Sequence, residues 1–222
     1  MNQSPLETAI LFHVGFVPVS RTVVTTWGLI AGLTAGCWVA TRGFEVIAGG
    51  WQAVIETVVL GIEEQIEALL GRDAGPFLPL LGTLFIFLVV ANLSGIAPGI
   101  KAPTATIETP AALASIVFLS VHFYGVRFQG FVPYLKGYLR PNPVLLPLNI
   151  LSEITRSFSL AVRLFGNIMS DDLVIAIVLA LAGLLVPIPF MAFAILVGLV
   201  QAYIFSVLAA VYIGGGIGAI AK

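Results

Sequence analysis

The sequence predicts an all-α membrane protein: about five hydrophobic helices, one amphipathic surface helix, and a long, strongly tilted helix that carries a buried arginine. Three observations carry that prediction. Only 9% of the 222 residues are charged and 59% are hydrophobic, with a mean hydropathy of +1.08. A soluble domain carries roughly 25% charged residues, so most of this surface faces lipid rather than water. Apolar runs of the ~20 residues needed to cross a bilayer recur along the chain. Five charges sit inside the longest of them.

The elements follow in order. Residues 23–40 form the first span, closed by Thr41 and Arg42. Residues 51–70 place Glu56, Glu63, Glu64 and Glu67 among Val54, Ile55, Val58, Val59, Ile62 and Ile66. That helical spacing predicts an amphipathic helix at or near the membrane surface. Its acidic face is unusual for a helix resting on lipid, so packing against protein stays equally open. Residues 77–96 and 109–126 are the second and third spans, the latter closed by Arg127. Residues 144–186 are one long apolar stretch ending at Pro187-Ile188-Pro189, and residues 190–213 form the last span before Gly214 to Gly218. The chain reads as a single membrane domain, 1–222. Residues 1–50 hold the N-terminal segment and first span, 51–72 the surface helix, 77–126 the next two spans, and 144–213 a long tilted hairpin.

Several classes are excluded. A net charge of −1 gives nothing to attract nucleic acid. Cys37 is the single cysteine, so no intrachain disulfide forms. No Cys/His metal cluster, phosphate-binding glycine loop or serine elbow is present, and His13 and His122 are too distant in sequence to form a local pair. The N-terminus lacks a basic region ahead of its apolar stretch and does not read as a cleaved signal peptide. Arg42, Arg72, Arg127, Lys136 and Arg140 fall on one side of the predicted spans, against Arg21 and Lys101 on the other. That bias places the Arg127–Arg140 loop in the cytoplasm, the N-terminus outside and Lys222 inside.

The long element reads PNPVLLPLNILSEITRSFSLAVRLFGNIMSDDLVIAIVLALAGLLV. At ~1.5 Å per residue it would reach roughly 60 Å, twice the ~30 Å hydrocarbon core, so it must tilt, break, or run partly along the membrane. It holds Glu153, Arg156, Arg163, Asp171 and Asp172. A charge at the bilayer centre costs roughly 2.5–3.5 kcal/mol on insertion scales, so each needs a partner or a wet cavity. Glu153 and Arg156, three apart, could pair locally, and Asp171-Asp172 could mark a helix break. Arg163, in SLAVRLFGN, has no acid within a turn. At 100° per residue Ser159 and Asn167 flank it on one face, with Arg156 and Ser170 one step further out. Asp172 points to the opposite face, roughly 13 Å along the axis. One helix then offers a cation to one neighbour and an acid to another, which suits a charge gate set apart from a water-accessible entry.

RLFGNIMSDDLV, the Pro187-Ile188-Pro189 turn and QAYIFSVLAAVYIG resemble subunit a of F-type ATP synthases, the membrane stator beside a rotating c-ring. PNPVLLPLNILSEI and the same turn look most like the chloroplast and cyanobacterial branch. PFLPLLGTLFIFLVVANLSG and APTATIETPAALA resemble the family's second span and the loop before its third. The likeness runs over about residues 51–213.

The resemblance implies an ion-translocating stator subunit with two offset half-channels and no cofactor, ATP chemistry residing on other subunits. It implies the c-ring, subunit b of the peripheral stalk and the bilayer as partners. The membrane would be the bacterial plasma membrane or, alternatively, the thylakoid. Arg163 matches the essential arginine facing the c-ring carboxylate, Asn167 the asparagine one turn on, and Gln201 the glutamine on the last span. Asp172 sits where the family places an acid or histidine in the outer half-channel. Glu153 sits where chloroplast-like members carry an acid toward the inner one. Thr106 and Glu108 stand where many members have Asp and Asn, and Ala194 replaces a histidine found in some. Arg156, Ser159, Ser170 and Asp171 are further candidates for lining a channel. A secondary transporter or channel is the competing reading, but it predicts repeats or a polar site spread over several helices, and here the polar residues concentrate on one. An intramembrane enzyme would need a nucleophile–base pair or a metal set, and neither is legible.

Overall fold

The computed structural model describes residues 10–14, 17–43, 49–95, 102–138, 144, 146–183 and 185–218. Its membrane body is helical throughout. Helix α1 spans Arg21–Thr41, α2 Gly50–Leu70, α3 Leu78–Ser94, α4 Glu108–Gln129, α5 Phe131–Tyr138, α6 Leu146–Ala182 and α7 Pro187–Gly216. A 3-10 turn at Pro103–Ala105 precedes α4. An antiparallel hairpin of β1 (Ile10–Val14) and β2 (Val17–Ser20) precedes α1. The hairpin departs from an all-helical reading. Its residues are rich in β-branched side chains, which favour extended backbone.

Among the described residues four helices, α1, α4, α6 and α7, are long and apolar enough to cross a membrane, and α3 is a shorter apolar helix of 17 residues. The boundaries have local causes. Ser20 caps α1, its hydroxyl accepting from the Val23 amide at 3.4 Å. Gly71 stops α2 in the left-handed conformation at φ 63°, and Gly183 takes φ 76° just beyond α6. Pro187-Ile188-Pro189 opens α7 rather than merely closing the preceding stretch. Proline suits a first turn, where its missing N–H has no partner to lose.

α3, α4, α6 and α7 enclose the core. Leu81, Leu84, Leu88, Val117, Val121, Leu160, Leu164, Phe205 and Ile213 interlock there. α2 is seated on protein: Ile66 and Leu70, one turn apart, are buried where it packs against α3 and α7. α5 lies in the loop that the sequence left unstructured. Tyr134 anchors it over Gly125, where any Cβ would collide with the tyrosine ring and reach within 3.0 Å of the Gly216 carbonyl oxygen.

One end of the bundle is basic. Phe77, at the start of α3, stacks on Phe128 near the end of α4 at 5.3 Å, with the Arg72 guanidinium 5.8 Å above the Phe128 ring. Gln129 donates to the Gly216 carbonyl at 2.8 Å, bringing the end of α7 to the same place. The opposite end holds the start of α1 and of α4, tied where the Ser20 hydroxyl donates to Glu108 at 2.7 Å. Arg72 and Arg127 thus share one end and Arg21 lies at the other, the grouping the spans predict. Lys101, Arg140 and Lys222 lie outside the described residues.

Candidate functional site

α6 is one uninterrupted helix of 37 residues, ~55 Å at ~1.5 Å per residue. Asp171-Asp172 does not break it, because helical positions run on through Ala182. Its length therefore has to be taken up by tilt or by ends that leave the hydrocarbon. Only Leu160, Ala161, Leu164 and Ile168 are buried, a narrow stripe against α4 and α7. Everything else on the helix is exposed or half-buried, including large apolar groups such as Phe158, Val162 and Ile177.

Arg163 stands at the edge of that stripe and is exposed. Among the described residues no carboxylate pairs with it within 4.0 Å. One turn on, the Asn167 amide donates to Gln201 Oε1 at 2.7 Å, fastening α6 to α7 beside the arginine. Gln201 is 2% exposed, and its Nε2 has no hydrogen-bond partner among the described residues. Ser159 and Ser170 lie exposed on the Arg163 edge, and Arg156 is exposed one further turn down.

Two cavities open at opposite ends of α6. The first, about 470 Å³, is bordered by α4, α5, α6 and α7 at the basic end, and includes Asn149, Ser152, Glu153, Arg156 and Tyr212. The second, about 340 Å³, lies where α6 and α7 meet, lined by Asp171, Val174, Ile175, Pro189, Phe190 and Phe193. Asp171 is the acid that lines it, with Oδ2 buried and lacking a hydrogen-bond partner among the described residues. The adjacent Asp172 is half-buried and is not part of that lining. By helical rise Arg163 lies ~15 Å from Glu153 and ~12 Å from Asp171, between the two.

Glu153 meets His122 of α4, Nε2 to Oε2 at 3.9 Å. Thr106 and Glu108 join neither cavity: the Thr106 hydroxyl donates to the Pro103 carbonyl at 3.1 Å, and Glu108 accepts from Ser20. Sequence reasoning missed three polar residues. His122 is one. Asn92 and Thr104 are the others: Asn92 is 8% exposed, donates to the Gly198 carbonyl at 2.8 Å and accepts from Thr104 at 2.8 Å. This ties α3 to α7 and to the 3-10 turn. A polar residue stranded in an apolar span is the signal that would have found Asn92 and His122.

A family model described as ATP synthase A chain matches residues 23–214. An ATP synthase subunit a 2 from Bradyrhizobium sp. is 59% identical over 222 residues, covering 100% of both chains. One from Pelobacter propionicus is 46% identical over 95% of this chain and 92% of its own. An ATP synthase subunit a from Albidiferax ferrireducens is 46% identical over 96% of this chain and 93% of its own.

Proposed function

The chain belongs to the ATP synthase A chain family, and from that premise we propose that it is the ion-translocating stator subunit of the membrane sector, working against a ring of carboxylate-bearing helices. It is an integral protein of the bacterial plasma membrane. The observation that carries the mechanism is the placement of Arg163 between two cavities that open at opposite ends of one continuous helix.

The bare apolar face of α6 around Val162 and Ile177 supports a ring of subunit c as the partner seated there, since lipid alone gives no use for an unpaired arginine. The uncovered α1 supports a place for subunit b of the peripheral stalk. The positive-inside bias makes the basic end, with Glu153, the cytoplasmic one. Asp171 and Asp172 then serve the outer side. The PNPVLLPLNILSEI stretch and the Pro187-Ile188-Pro189 turn favour kinship with the chloroplast and cyanobacterial branch, whereas the similar relatives above are proteobacterial.

The chemistry follows from charge in a poor dielectric. A guanidinium keeps its charge at any pH a cell meets. A ring carboxylate drawn toward it is favoured in the ionised form. It therefore gives up its ion, proton or sodium, to the Glu153 cavity as it nears Arg163. Past the arginine it reloads from the Asp171 cavity and enters lipid neutral, because an ionised site faces a large desolvation cost there. Arg163 also repels cations from passing straight between cavities. Lysine replaces it poorly, since burial lowers an ammonium pKa.

Arg163→Ala is the direct test. The synthase assembles and co-purifies with its ring, and ion-driven ATP synthesis in vesicles is lost. Synthesis that survives the change removes Arg163 from the gate.

A further inference from the structure

Two polar contacts hold α7 from two sides. On the α6 flank the Asn167 amide donates to Gln201 Oε1 at 2.7 Å. On the α3 flank the Asn92 amide donates to the Gly198 carbonyl at 2.8 Å. Gly198 and Gln201 are three residues apart, so they differ by about 60° around α7 and by about 4.5 Å along it. Both are buried. Glycine at 198 permits the approach of α3, because an added Cβ would stand 3.2 Å from the Asn92 Cβ. A helical carbonyl has a second lone pair to offer, and unlike a side chain it cannot swing away. The Asn92 bond therefore grips the body of α7, not a rotamer on it.

Asn92 is itself held. Its Oδ1 accepts from the Thr104 hydroxyl at 2.8 Å, and Thr104 is fully buried in the 3-10 turn. That turn lies against the end of α3, where a Cβ on Gly95 would stand 3.0 Å from the Ala102 Cβ. With its oxygen taken by Thr104, the Asn92 amide has its nitrogen turned to Gly198. The contacts run from Thr104 through Asn92 and Gly198 to Gln201 and Asn167, and end one helical turn from Arg163. None of these five residues is charged and none lines either cavity. A polar residue inside an apolar span is costly to bury, and the ion path described above makes no use of Asn92.

We infer that Asn92 is a positioning residue for ion transfer: it fixes the rotation and height of α7 so that Gln201 meets Asn167 and the Arg163 edge of α6 is held at its working distance from the ring. The inference rests on the stator reading above and adds to it a residue buried away from both cavities. Apolar packing between α3 and α7 is non-directional, so without the Asn92 bond a small turn or slide of α7 costs little. The same movement carries Gln201 Oε1 off the Asn167 amide, because a hydrogen bond weakens steeply as its distance and angle depart from the optimum. α6 then loses its polar fastening beside Arg163. An arginine displaced from the ring neither draws the ion off a passing carboxylate nor bars ions from crossing between the cavities.

The test uses the whole synthase in vesicles, with every rate normalised to the amount of complex that co-purifies with its ring. ATP synthesis is measured under an imposed proton gradient and, in a second run, an imposed sodium gradient, and the decay of each gradient is followed. Asn92→Leu keeps the bulk and removes both hydrogen bonds. Synthesis per complex falls about tenfold, the weight of an interhelical hydrogen bond, and the driving gradient decays about threefold faster or more. A subunit that is only less stable gives fewer complexes, not leaky ones. In a Gln201→Leu background the α6 fastening is already absent, so Asn92→Leu changes the decay rate by less than about twofold. An equal fold-change in both backgrounds, or wild-type synthesis and decay in Asn92→Leu, overturns the inference. Should Asn92→Leu fail to assemble, Thr104 decides. Thr104→Ser keeps the hydroxyl and holds synthesis within about twofold of wild type, whereas Thr104→Val, equal in shape but without the donor, loses about threefold or more. Thr104→Val performing as well as Thr104→Ser overturns the inference. A wild-type complex that makes no ATP under either gradient would instead strike at the stator reading itself.

Discussion

The link between Asn167 and Gln201 can be weighed by a double-mutant cycle. The Asn167 amide is the hydrogen-bond partner of a side chain that is 2% exposed and whose Nε2 is already unpartnered among the described residues. Asn167→Ala removes one hydrogen bond and also leaves Gln201 Oε1 buried without a donor. Orphaning a buried polar group costs about 1–3 kcal/mol, and hydrogen bonds between membrane helices are worth about 0.6–2 kcal/mol. Gln201→Leu takes the opposite course, replacing an amide that is half unsatisfied with an apolar group of similar size, and costs little. In the Gln201→Leu background, Asn167→Ala has nothing left to orphan. The coupling energy is therefore close to the whole cost of Asn167→Ala, about 0.6–2 kcal/mol, or roughly threefold to thirtyfold in the folded ratio. The measurement is the midpoint of unfolding of the purified subunit in a denaturing-detergent titration, for wild type, both single variants and the double. Equal losses from Asn167→Ala in both backgrounds would show that the two amides do not depend on each other, and the reasoning would fail.

Further outcomes follow from the polar residues inside the bundle. Asn92→Ala breaks two hydrogen bonds and orphans the fully buried Thr104 hydroxyl, lowering stability by about 1–3 kcal/mol in the same titration, with Thr104→Val milder. The reverse order would place the weight on the 3-10 turn instead of on α3. Asp171→Asn and Asp172→Asn slow ion uptake from the outer side more than they disturb folding, with Asp171→Asn at least as severe because it lines the cavity. Unchanged flux through vesicles carrying either variant removes that acid from the pathway.

Most of the scaffold was legible because membrane spans announce themselves. The predicted boundaries lie within a few residues of α1, α2, α3, α4, α6 and α7, since glycine, proline and charge mark each end. The α5 helix was not legible. Eight residues containing Pro133 and Gly137 give no periodicity, and only Tyr134 seating over Gly125 fixes them. On α6 the row from Arg156 through Arg163 to Ser170 could be counted off at 100° per residue. Glu153 could not be resolved that way. A local pair with Arg156 was open on spacing alone, whereas its contact with His122 joins residues 31 positions apart on different helices. The choice between Asp171 and Asp172 likewise turned on where α7 folds back, which helical counting does not fix. Asn92 meets Gly198 across 106 positions, beyond any local pattern.

The two cavities have a consequence for how a cell can build such a machine. They sit on either side of Arg163, with which no carboxylate among the described residues pairs. Under the proposed stator reading, a copy inserted ahead of a ring has two separate vestibules and no shuttle to join them. On that reading an orphan subunit is electrically silent, and biogenesis need not be timed so that every copy meets a ring at once.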